Sequence, residues 1–364
     1  MNLIKIISII LIIIVIFIVA LSYLSPSEED VSSIKDANLS AVVVDNANSI
    51  YSNVKNKIIY GSPDRQLPTK LYFCPEDNCE LELINLINSA KKSIDCAVYD
   101  ITLDAVTDSL VDAYKQEKEV RIVSDYDRSS KQYSKLGTIR SASIPVITNP
   151  SENTYMHNKF CVFDNKTVWL GSMNFTLNGN YKNNNNVLVI EDKELAKLYT
   201  NKIDLFFSGQ FSLELNPEIE IKQVGNLENY FCPEDNCLYH VLRHMDSSKL
   251  SVDCMFFSFT SDEVTDLLDT KNINRRFILE KRNISEYSEF ERLKDIGVPV
   301  ITDNNPNSMH NKLCVFDNQI VMTGSMNLSA NGTDNNDESL VFVNDSNLAQ
   351  RYTEYFNKYW VEWS

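Results

Sequence analysis

One stretch of nineteen residues is written twice in this chain, MHNKFCVFDNKTVWLGSMN at Met156–Asn174 and MHNKLCVFDNQIVMTGSMN at Met309–Asn327. A unit repeated at this length builds the same supersecondary structure twice, so the duplication constrains the fold before any other feature does. Two of the four histidines in the chain fall at the same place in the two copies, His157 and His310, each followed two residues on by a lysine. Side chains alternate faces along an extended segment, so His157 and Lys159 project together, as do His310 and Lys312. The apolar and aromatic residues around Cys161, Val162 and Phe163 favour that extended reading. Asp164–Thr167 reads as a tight turn into a second strand, Thr167–Leu170, which makes a hairpin. With Asn165 and Lys166 as loop residues, Lys159 stands opposite Ser172 and His157 opposite Asn174. In the second copy, with Asn318 and Gln319 in the loop, Lys312 faces Ser325 and His310 faces Asn327. Directly paired residues share a face, so this register gathers imidazole, ammonium, hydroxyl and carboxamide on one patch.

The self-similarity runs well beyond the hairpin. YFCPEDNC at Tyr72–Cys79 returns at Tyr230–Cys237, SIDCAVYDIT at Ser93 returns as SVDCMFFSFT at Ser251, and IPVIT at Ile144 returns as VPVIT at Val298. Each unit predicts a helix after the CPEDNC box, a buried strand, a helix from Asp104 or Asp262, and a second strand over Val120–Asp125 or Arg276–Leu279. A short helix, a third strand, the hairpin, another strand (Val187–Glu191; Leu340–Asn344) and a closing helix complete it. Strands alternating with helices imply an α/β fold with a mixed sheet in each repeat. The repeats occupy 69–212 and 229–364 with a linker at 213–228, and each is domain-sized.

Ahead of the repeats, Ile6–Leu24 is an unbroken run without a charge. As a helix it spans about 28 Å, enough for the core of a bilayer. Lys5 precedes it and Glu28, Glu29 and Asp30 follow, so the charge bias puts the N-terminus in the cytoplasm and the rest outside. The run exceeds the apolar region of a cleaved signal peptide, the competing reading, so residues 1–25 are read as a transmembrane signal anchor. Residues 26–68 open as a Ser, Pro and acid-rich tether, with two short β-like runs, Ala41–Val44 and Lys57–Tyr60, as a small appended segment.

Each hairpin copy fits H-x-K-x4-D-x6-G-S-x-N without a gap, through His157, Lys159, Asp164, Gly171, Ser172, Asn174 and through His310, Lys312, Asp317, Gly324, Ser325, Asn327. This resembles the signature of the phospholipase D superfamily, and two full copies make it a strong signal. The resemblance covers Leu71 to the C-terminus. It implies two α/β repeats related by a pseudo-two-fold axis, with both hairpins meeting in one cleft. The repeats are similar to the compact endonuclease-like members that dimerise to assemble a site; here the dimer is fused, so the site is complete within one chain.

The chemistry implied is attack on a phosphodiester. The non-bridging oxygens need neutralising, a nucleophile must stand in line, and the departing oxygen needs a proton. Lys159 and Lys312 supply charge, Asn174 and Asn327 amide donors, Ser172 and Ser325 further donors. One imidazole attacks while the other donates a proton. The resemblance implies a covalent phosphohistidine on His157, with His310 as acid and then base, and no metal or other cofactor. Asp164 and Asp317, at the hairpin turns, are read as structural. Relatives carry a glutamate eleven residues beyond the motif asparagine, bonded to a histidine ring. Glu338 keeps it in the second copy and Asn185 replaces it in the first, which on this reading makes His310 the more easily protonated partner. One imidazole bare and the other charged gives a bell-shaped pH profile.

His240 and His244 have the i, i+4 spacing of a metal pair, but their counterparts are Glu82 and Leu86, which favours a surface or packing role. Cys96, Cys161, Cys254 and Cys314 lie in apolar strands and read as buried thiols. Cys74 with Cys79 and Cys232 with Cys237 flank four-residue loops and read as local disulfides, free thiols or a shared zinc site.

A formal net charge of −16 opposes generic binding to a polyanion. A nuclease with this surface concentrates its positive field in the cleft, the candidates being Arg121, Arg128, Lys131, Lys135, Arg275, Arg276, Lys281 and Arg282. Three functions follow: a membrane-anchored nuclease first, a phospholipase or phosphatidyltransferase acting on phospholipid second, and a catalytically weak phosphate-binding descendant third, motivated by Asn185.

Overall fold

The computed structural model describes residues 54–364 apart from 61, 63, 151 and 152. The segment expected to cross a membrane and the run Ala41–Val44 lie outside the described residues. Among the described residues no helix is long and apolar enough to cross a membrane.

Strand β1 (Val54–Tyr60) precedes the first repeat, which runs β2 (Thr69–Cys74), α1 (Cys79–Ser89), β3 (Ser93–Val98), α2 (Asp104–Lys115) and β4 (Glu119–Ser124). It continues through α3 (Tyr126–Ser129), α4 (Leu136–Ser141), β5 (Val146–Thr148), β6 (Lys159–Phe163), β7 (Thr167–Gly171), α5 (Leu177–Tyr181), β8 (Asn185–Glu191) and α6 (Lys193–Phe207). After β9 (Ile219–Val224) the second repeat follows as β10 (Leu227–Cys232), α7 (Cys237–Ser247), β11 (Ser251–Phe256), α8 (Asp262–Thr270) and β12 (Asn274–Leu279). It closes with α9 (Phe290–Asp295), β13 (Val300–Thr302), β14 (Lys312–Phe316), β15 (Ile320–Gly324), β16 (Glu338–Asn344) and α10 (Ser346–Trp363).

The two sheets share one strand order. The first is β2-β8-β7-β6-β3-β4-β5, and β10-β16-β15-β14-β11-β12-β13 reproduces it, with β1 and β9 added at one edge. Strands β3, β4 and β5 are mutually parallel and the others antiparallel, which is the mixed sheet expected. The stretch 213–228, expected to be a linker, is instead partly strand. β9 pairs antiparallel with β10 and parallel with β1, so the segment ahead of the repeats is tied to the second sheet.

The amphipathic pattern decides which face each helix buries. In α2 the buried residues Val106, Thr107, Leu110 and Ala113 recur at helical spacing. Helices α6 and α10 start at Asp192 and Asp345, whose carboxylates accept two backbone N–H groups each. Both helices lie in one apolar core drawn from both repeats, where Phe160, Tyr199 and Phe206 join Leu313, Val341 and Phe356. Each sheet thus turns one face to its own outer helices and the other to this shared core.

The hairpins differ from the expected register by one residue. Asp164 and Asn165 both take left-handed φ, 54° and 50°, as do Asp317 and Asn318 at 52° and 51°. Lys166 N–H bonds the Phe163 carbonyl, and pairing resumes only at Phe163–Thr167, so three residues form the loop rather than two. The second copy pairs Phe316 with Ile320 in the same way. Lys159 therefore comes level with Gly171 and Lys312 with Gly324, and a slip of one residue turns a side chain to the opposite face. The glycines are required where β7 and β15 run close against their neighbours. A Cβ at 171 would lie 2.2 Å from the Asn186 carbonyl oxygen, and one at 324 would lie 2.1 Å from that of Ser339.

The cysteines also depart from expectation. Cys96 and Cys161 face each other across β3 and β6, and Cys254 and Cys314 across β11 and β14, with Cα atoms 4.1 Å apart in both pairs. They are disulfides, not buried thiols, because direct opposition in an antiparallel pair brings the sulfurs within bonding reach. Cys74–Cys79 and Cys232–Cys237 are disulfides too, and no cysteine is free. Alkylation of the denatured, unreduced protein is expected to add no label, and prior reduction to expose all eight thiols. Label entering at Cys96 or Cys161 without reductant would contradict the pairing.

Candidate active site

Two reciprocal contacts bring the repeats together. His157 N–H donates to the Asp337 carbonyl and His310 N–H to the Asn184 carbonyl, both at 2.9 Å. Asp337 N–H returns a bond to Tyr155, and Asn184 N–H one to Ser308. A two-fold relation makes each contact imply its mirror, which is the pattern seen in the bridges Met156–Asp337 and Asn184–Met309. Each bridge seats the segment before one H-x-K against the start of the other repeat's β8 or β16. Both imidazoles thereby line one cleft of about 670 Å³, together with Asn174 and Asn327.

The crossing carries into the side chains and reverses an expectation. Glu338, at the start of β16, reaches the first-repeat ring: its Oε1 lies 2.7 Å from His157 Nδ1. Asn185, at the start of β8, reaches the second-repeat ring, its Oδ1 2.9 Å from His310 Nδ1, with the Ser172 carbonyl at 3.1 Å. The carboxylate therefore supports His157, and His310 is the ring without one. Asn185 Nδ2 donates to the Gly179 carbonyl at 2.9 Å, which orients Oδ1 toward the ring. Both Nδ1 atoms thus face acceptors and carry hydrogen, leaving each Nε2 bare.

Burial governs the charges. It pushes both imidazoles well below their ordinary value, with Lys159 and Lys312 adding to the effect on each ring. Burial also pushes the Glu338 carboxyl up to about 8. A single proton held between His157 Nδ1 and Glu338 satisfies both shifts. His310 has only neutral acceptors to offset its burial. An aspartate at position 185 is expected to raise the His310 pKa by about one unit or more, since a carboxylate beside an imidazole favours its charged form. An NMR titration of the His310 ring in N185D measures this, and an unmoved midpoint would refute the role assigned to Asn185.

The lysines lie beneath the cleft rather than on its wall. Both are fully buried, Lys159 Nζ donating to the His157 carbonyl at 2.5 Å and Lys312 Nζ to that of His310 at 2.8 Å. Their ammonium groups also face the rings of Tyr99 and Phe257, at 5.2 and 4.7 Å. Burial pushes Lys159 down to about 7, and burial followed by the Lys159 charge pushes Lys312 well below its ordinary value. Ser172 and Ser325, expected as donors into the cleft, are buried away from it. Ser172 Oγ donates to Asn185 Oδ1 and accepts from Asn186 N–H, while Ser325 Oγ accepts from Ser339 N–H. The one-residue register difference accounts for this, and it makes Ser172 a support for Asn185.

Asp164 accepts from the backbone N–H groups of Lys91, Lys92 and Ser93, and Asp317 from those of Lys249, Leu250 and Ser251. Each pins its hairpin turn to the start of the neighbouring strand. Against the burial that opposes it, these bonds hold both carboxyls below their ordinary value.

Of the eight basic candidates, only Arg128 and Arg282 line the cleft. Arg121 is bound to Asp95 and Asp204, Arg276 to Asp253, Lys131 to Asp127 and Lys135 to Asp104; Arg275 bonds the Leu268 carbonyl and Lys281 the side chain of Asn304. Local ion pairing outcompetes the cleft for most of them. His240 and His244 are buried packing residues, stacked on Tyr230 and Phe342 at 3.6 and 4.0 Å. Among the described residues no three His, Cys, Asp or Glu side chains converge as metal ligands.

Sequence reasoning missed Tyr99 and Phe257, whose rings lie edge-to-face on His157 and His310 at 4.9 and 4.8 Å. It also missed Asp125 and Glu280, which accept the backbone N–H of Met156 and Met309 beside the two rings. The available signal was position: each aromatic residue follows its repeat's first buried strand, and each acid follows the second.

A family model described as "Cardiolipin synthase, PLD-like domain" matches residues 83–206 and again 241–360. A phospholipase D of Rickettsia conorii is 34% identical over 127 residues, 35% of this chain and 63% of that protein, so the matched stretch spans less than two thirds of that relative. The mitochondrial cardiolipin hydrolase of Xenopus tropicalis is 28% identical over 160 residues, 43% of this chain and 76% of that one. The crystal structure of phosphatidylserine synthase from Haemophilus influenzae Rd KW20 aligns with a TM-score of 0.64 at 15% identity, covering 86% of this chain and 90% of that one. At that identity the likeness is one of fold.

Proposed function

The chain belongs to the phospholipase D superfamily, and on that premise we propose that it is a phosphodiesterase acting on a nucleic-acid strand through a phosphohistidine intermediate. The reading rests on one observation: two imidazoles from opposite repeats, each with Nδ1 held by an acceptor, line a single cleft, which leaves Nε2 of each as the nitrogen available to react. His157 Nε2 attacks phosphorus, forming a P–N bond as the P–O bond to the leaving group breaks. His310 Nε2, bare in the free enzyme, takes up a proton once the negative charge of the phosphodiester lies beside it, and gives that proton to the departing oxygen. Water then attacks phosphorus as His310 takes its proton, the P–N bond breaks, and both rings return to their starting state. The negative charge of a bound phosphodiester favours the charged forms of Lys159 and Lys312, which then stabilise its equatorial oxygens from below. The Glu338 carboxylate orients His157 and stabilises positive charge on it, which suits the nucleophile. Both rings come from one chain, so the site needs no second copy.

The rim supports nucleic acid over lipid. Tyr99, Tyr155, Phe257 and Tyr287 line the cleft with Arg128 and Arg282. Aromatic faces and guanidinium groups stack on bases and track a backbone. The exposed large apolar side chains lining the cleft are tyrosines, Tyr155 and Tyr287, among the described residues, whereas an interfacial lipid-binding face carries Trp, Phe or Leu. Phospholipid is the second reading, favoured by the names of the two relatives and by the Ile6–Leu24 segment, which on the anchor reading holds the enzyme at a membrane with the cleft outside the cytoplasm.

The test is the full chain in detergent, with excess chelator, on labelled single- and double-stranded DNA, RNA, phosphatidylcholine and cardiolipin. Cleavage of a polynucleotide, lost in the H157A/H310A double variant, is the expected result. Cleavage of lipid alone would replace the nucleic-acid reading with the second one, and no turnover of any substrate would favour a phosphate-binding descendant.

A further inference from the structure

The two lips of the cleft are unequal. On the second-repeat side Arg282 Nε donates to Glu280 Oε1 at 2.6 Å, so its charge is already met. On the first-repeat side Arg128 is held by phenols: Nε donates to Tyr99 OH at 2.8 Å and Nη1 to Tyr133 OH at 3.2 Å. Its guanidinium also lies over the Tyr99 ring, 4.9 Å from the centroid. Burial pushes the Tyr99 phenol up to about 12, so it holds the arginine without neutralising it.

Nearby carboxylates are engaged elsewhere. Asp127 comes no closer than 3.9 Å to Arg128 and is paired with Lys131 at 2.7 Å. Asp125 spends its oxygens on the backbone N–H groups of Arg128 and Met156. A guanidinium has five N–H donors, and two are used, leaving three without a bonded acceptor among the described residues. The side chain is 32% exposed and lines the cleft. A planar donor fork fixed by two phenols, with no carboxylate hydrogen-bonded to it among the described residues and open to the cleft, matches a phosphate.

Resting on the nucleic-acid reading above, we propose that Arg128 is a subsite for the phosphate next to the one attacked, so that the preferred substrate carries two phosphodiester-spaced phosphates. Tyr99 and Tyr133 are positioning residues that aim the fork. The unmatched lip at Arg282 gives the cleft a direction, with the flanking phosphate always on the first-repeat side.

The test compares kcat/KM of wild type, R128Q and R128K on TpT, on pTpT and TpTp, and on bis(p-nitrophenyl) phosphate, which has a single phosphate. Thermal unfolding of each variant checks folding. Wild type is expected to favour one of pTpT and TpTp over TpT by about 10- to 100-fold, the range of a charge-assisted bond. R128Q is expected to erase that preference, with a loss on the preferred dinucleotide at least about tenfold greater than its loss on bis(p-nitrophenyl) phosphate, and R128K, which keeps the charge without the fork, to retain part of it. Equal rates for all three dinucleotides in wild type, or an equal loss on every substrate in R128Q, would overturn the subsite and leave the nucleic-acid reading intact. Hydrolysis of cardiolipin with no dinucleotide or polynucleotide cleaved would instead overturn the reading itself.

Discussion

Alanine at His157 is expected to lower turnover of every phosphodiester by about 10⁴-fold or more, whereas alanine at His310 is expected to spare the first chemical step, and only that step, on substrates whose leaving group needs no proton. The difference follows from the acceptors. His157 has a carboxylate 2.7 Å from Nδ1, which stabilises the positive charge that grows on the ring as Nε2 bonds to phosphorus. His310 has a carboxamide and a carbonyl there, and its work as acid matters in proportion to the basicity of the departing oxygen. H310A is therefore expected to lose about 10²- to 10⁴-fold on a dinucleotide, whose leaving group is an alkoxide. On bis(p-nitrophenyl) phosphate it should form the covalent intermediate at near wild-type rate and accumulate it, because the missing base then slows the attack of water. Burst kinetics and acid-quench trapping of labelled enzyme read this out. A trapped intermediate in H157A and none in H310A would exchange the two roles.

Methionine at Lys159 is expected to cost about 10²- to 10³-fold in kcat and yet to make the protein more stable. Lys159 is fully buried, and burial lowers its pKa to about 7. Between about pH 7 and the ordinary lysine value the unfolded chain binds more protons than the native one, so wild-type stability rises with pH across that window. Below about pH 7 both states hold the proton and the whole cost of burying the charge is present. Methionine has similar length and no charge, so the gain should be greatest there, about 1–3 kcal/mol after the bond to the His157 carbonyl is lost. It should shrink as pH rises toward 10. Urea unfolding of the two proteins at pH 6 and pH 9.5 measures both ends. A variant that is less stable at pH 6 would mean that its hydrogen bond, the Tyr99 ring and the nearby Glu338, Asp125 and Asp100 carboxyls together outweigh the cost of burying the ammonium.

Much of this architecture was legible without coordinates. Regular spacing of apolar residues is a local property, so the strands at Ser93–Val98 and Ser251–Phe256 and the helices at Asp104 and Asp262 could be placed from pattern alone. The repeat carried that placement from one half of the chain to the other. Asp164 and Asp317 were also readable as turn residues, because their partners lie within their own repeat, at and just ahead of the start of the adjacent strand.

The sequence by itself determined that two α/β units would form and that His157 and His310 would occupy equivalent places in them. Tertiary structure alone decided that Glu338 serves the ring of the other repeat, that Lys159 and Lys312 sink beneath the cleft, and that Arg128 keeps donors its neighbours leave unused. Those outcomes depend on how two sheets close around one shared core, which sets contacts between residues far apart in the chain. The disulfides across β3–β6 and β11–β14 likewise depend on pairing between strands far apart in the chain. The hairpin register turned on a smaller matter: two consecutive left-handed residues lengthened each loop by one, and periodicity along a strand carries no record of such a turn.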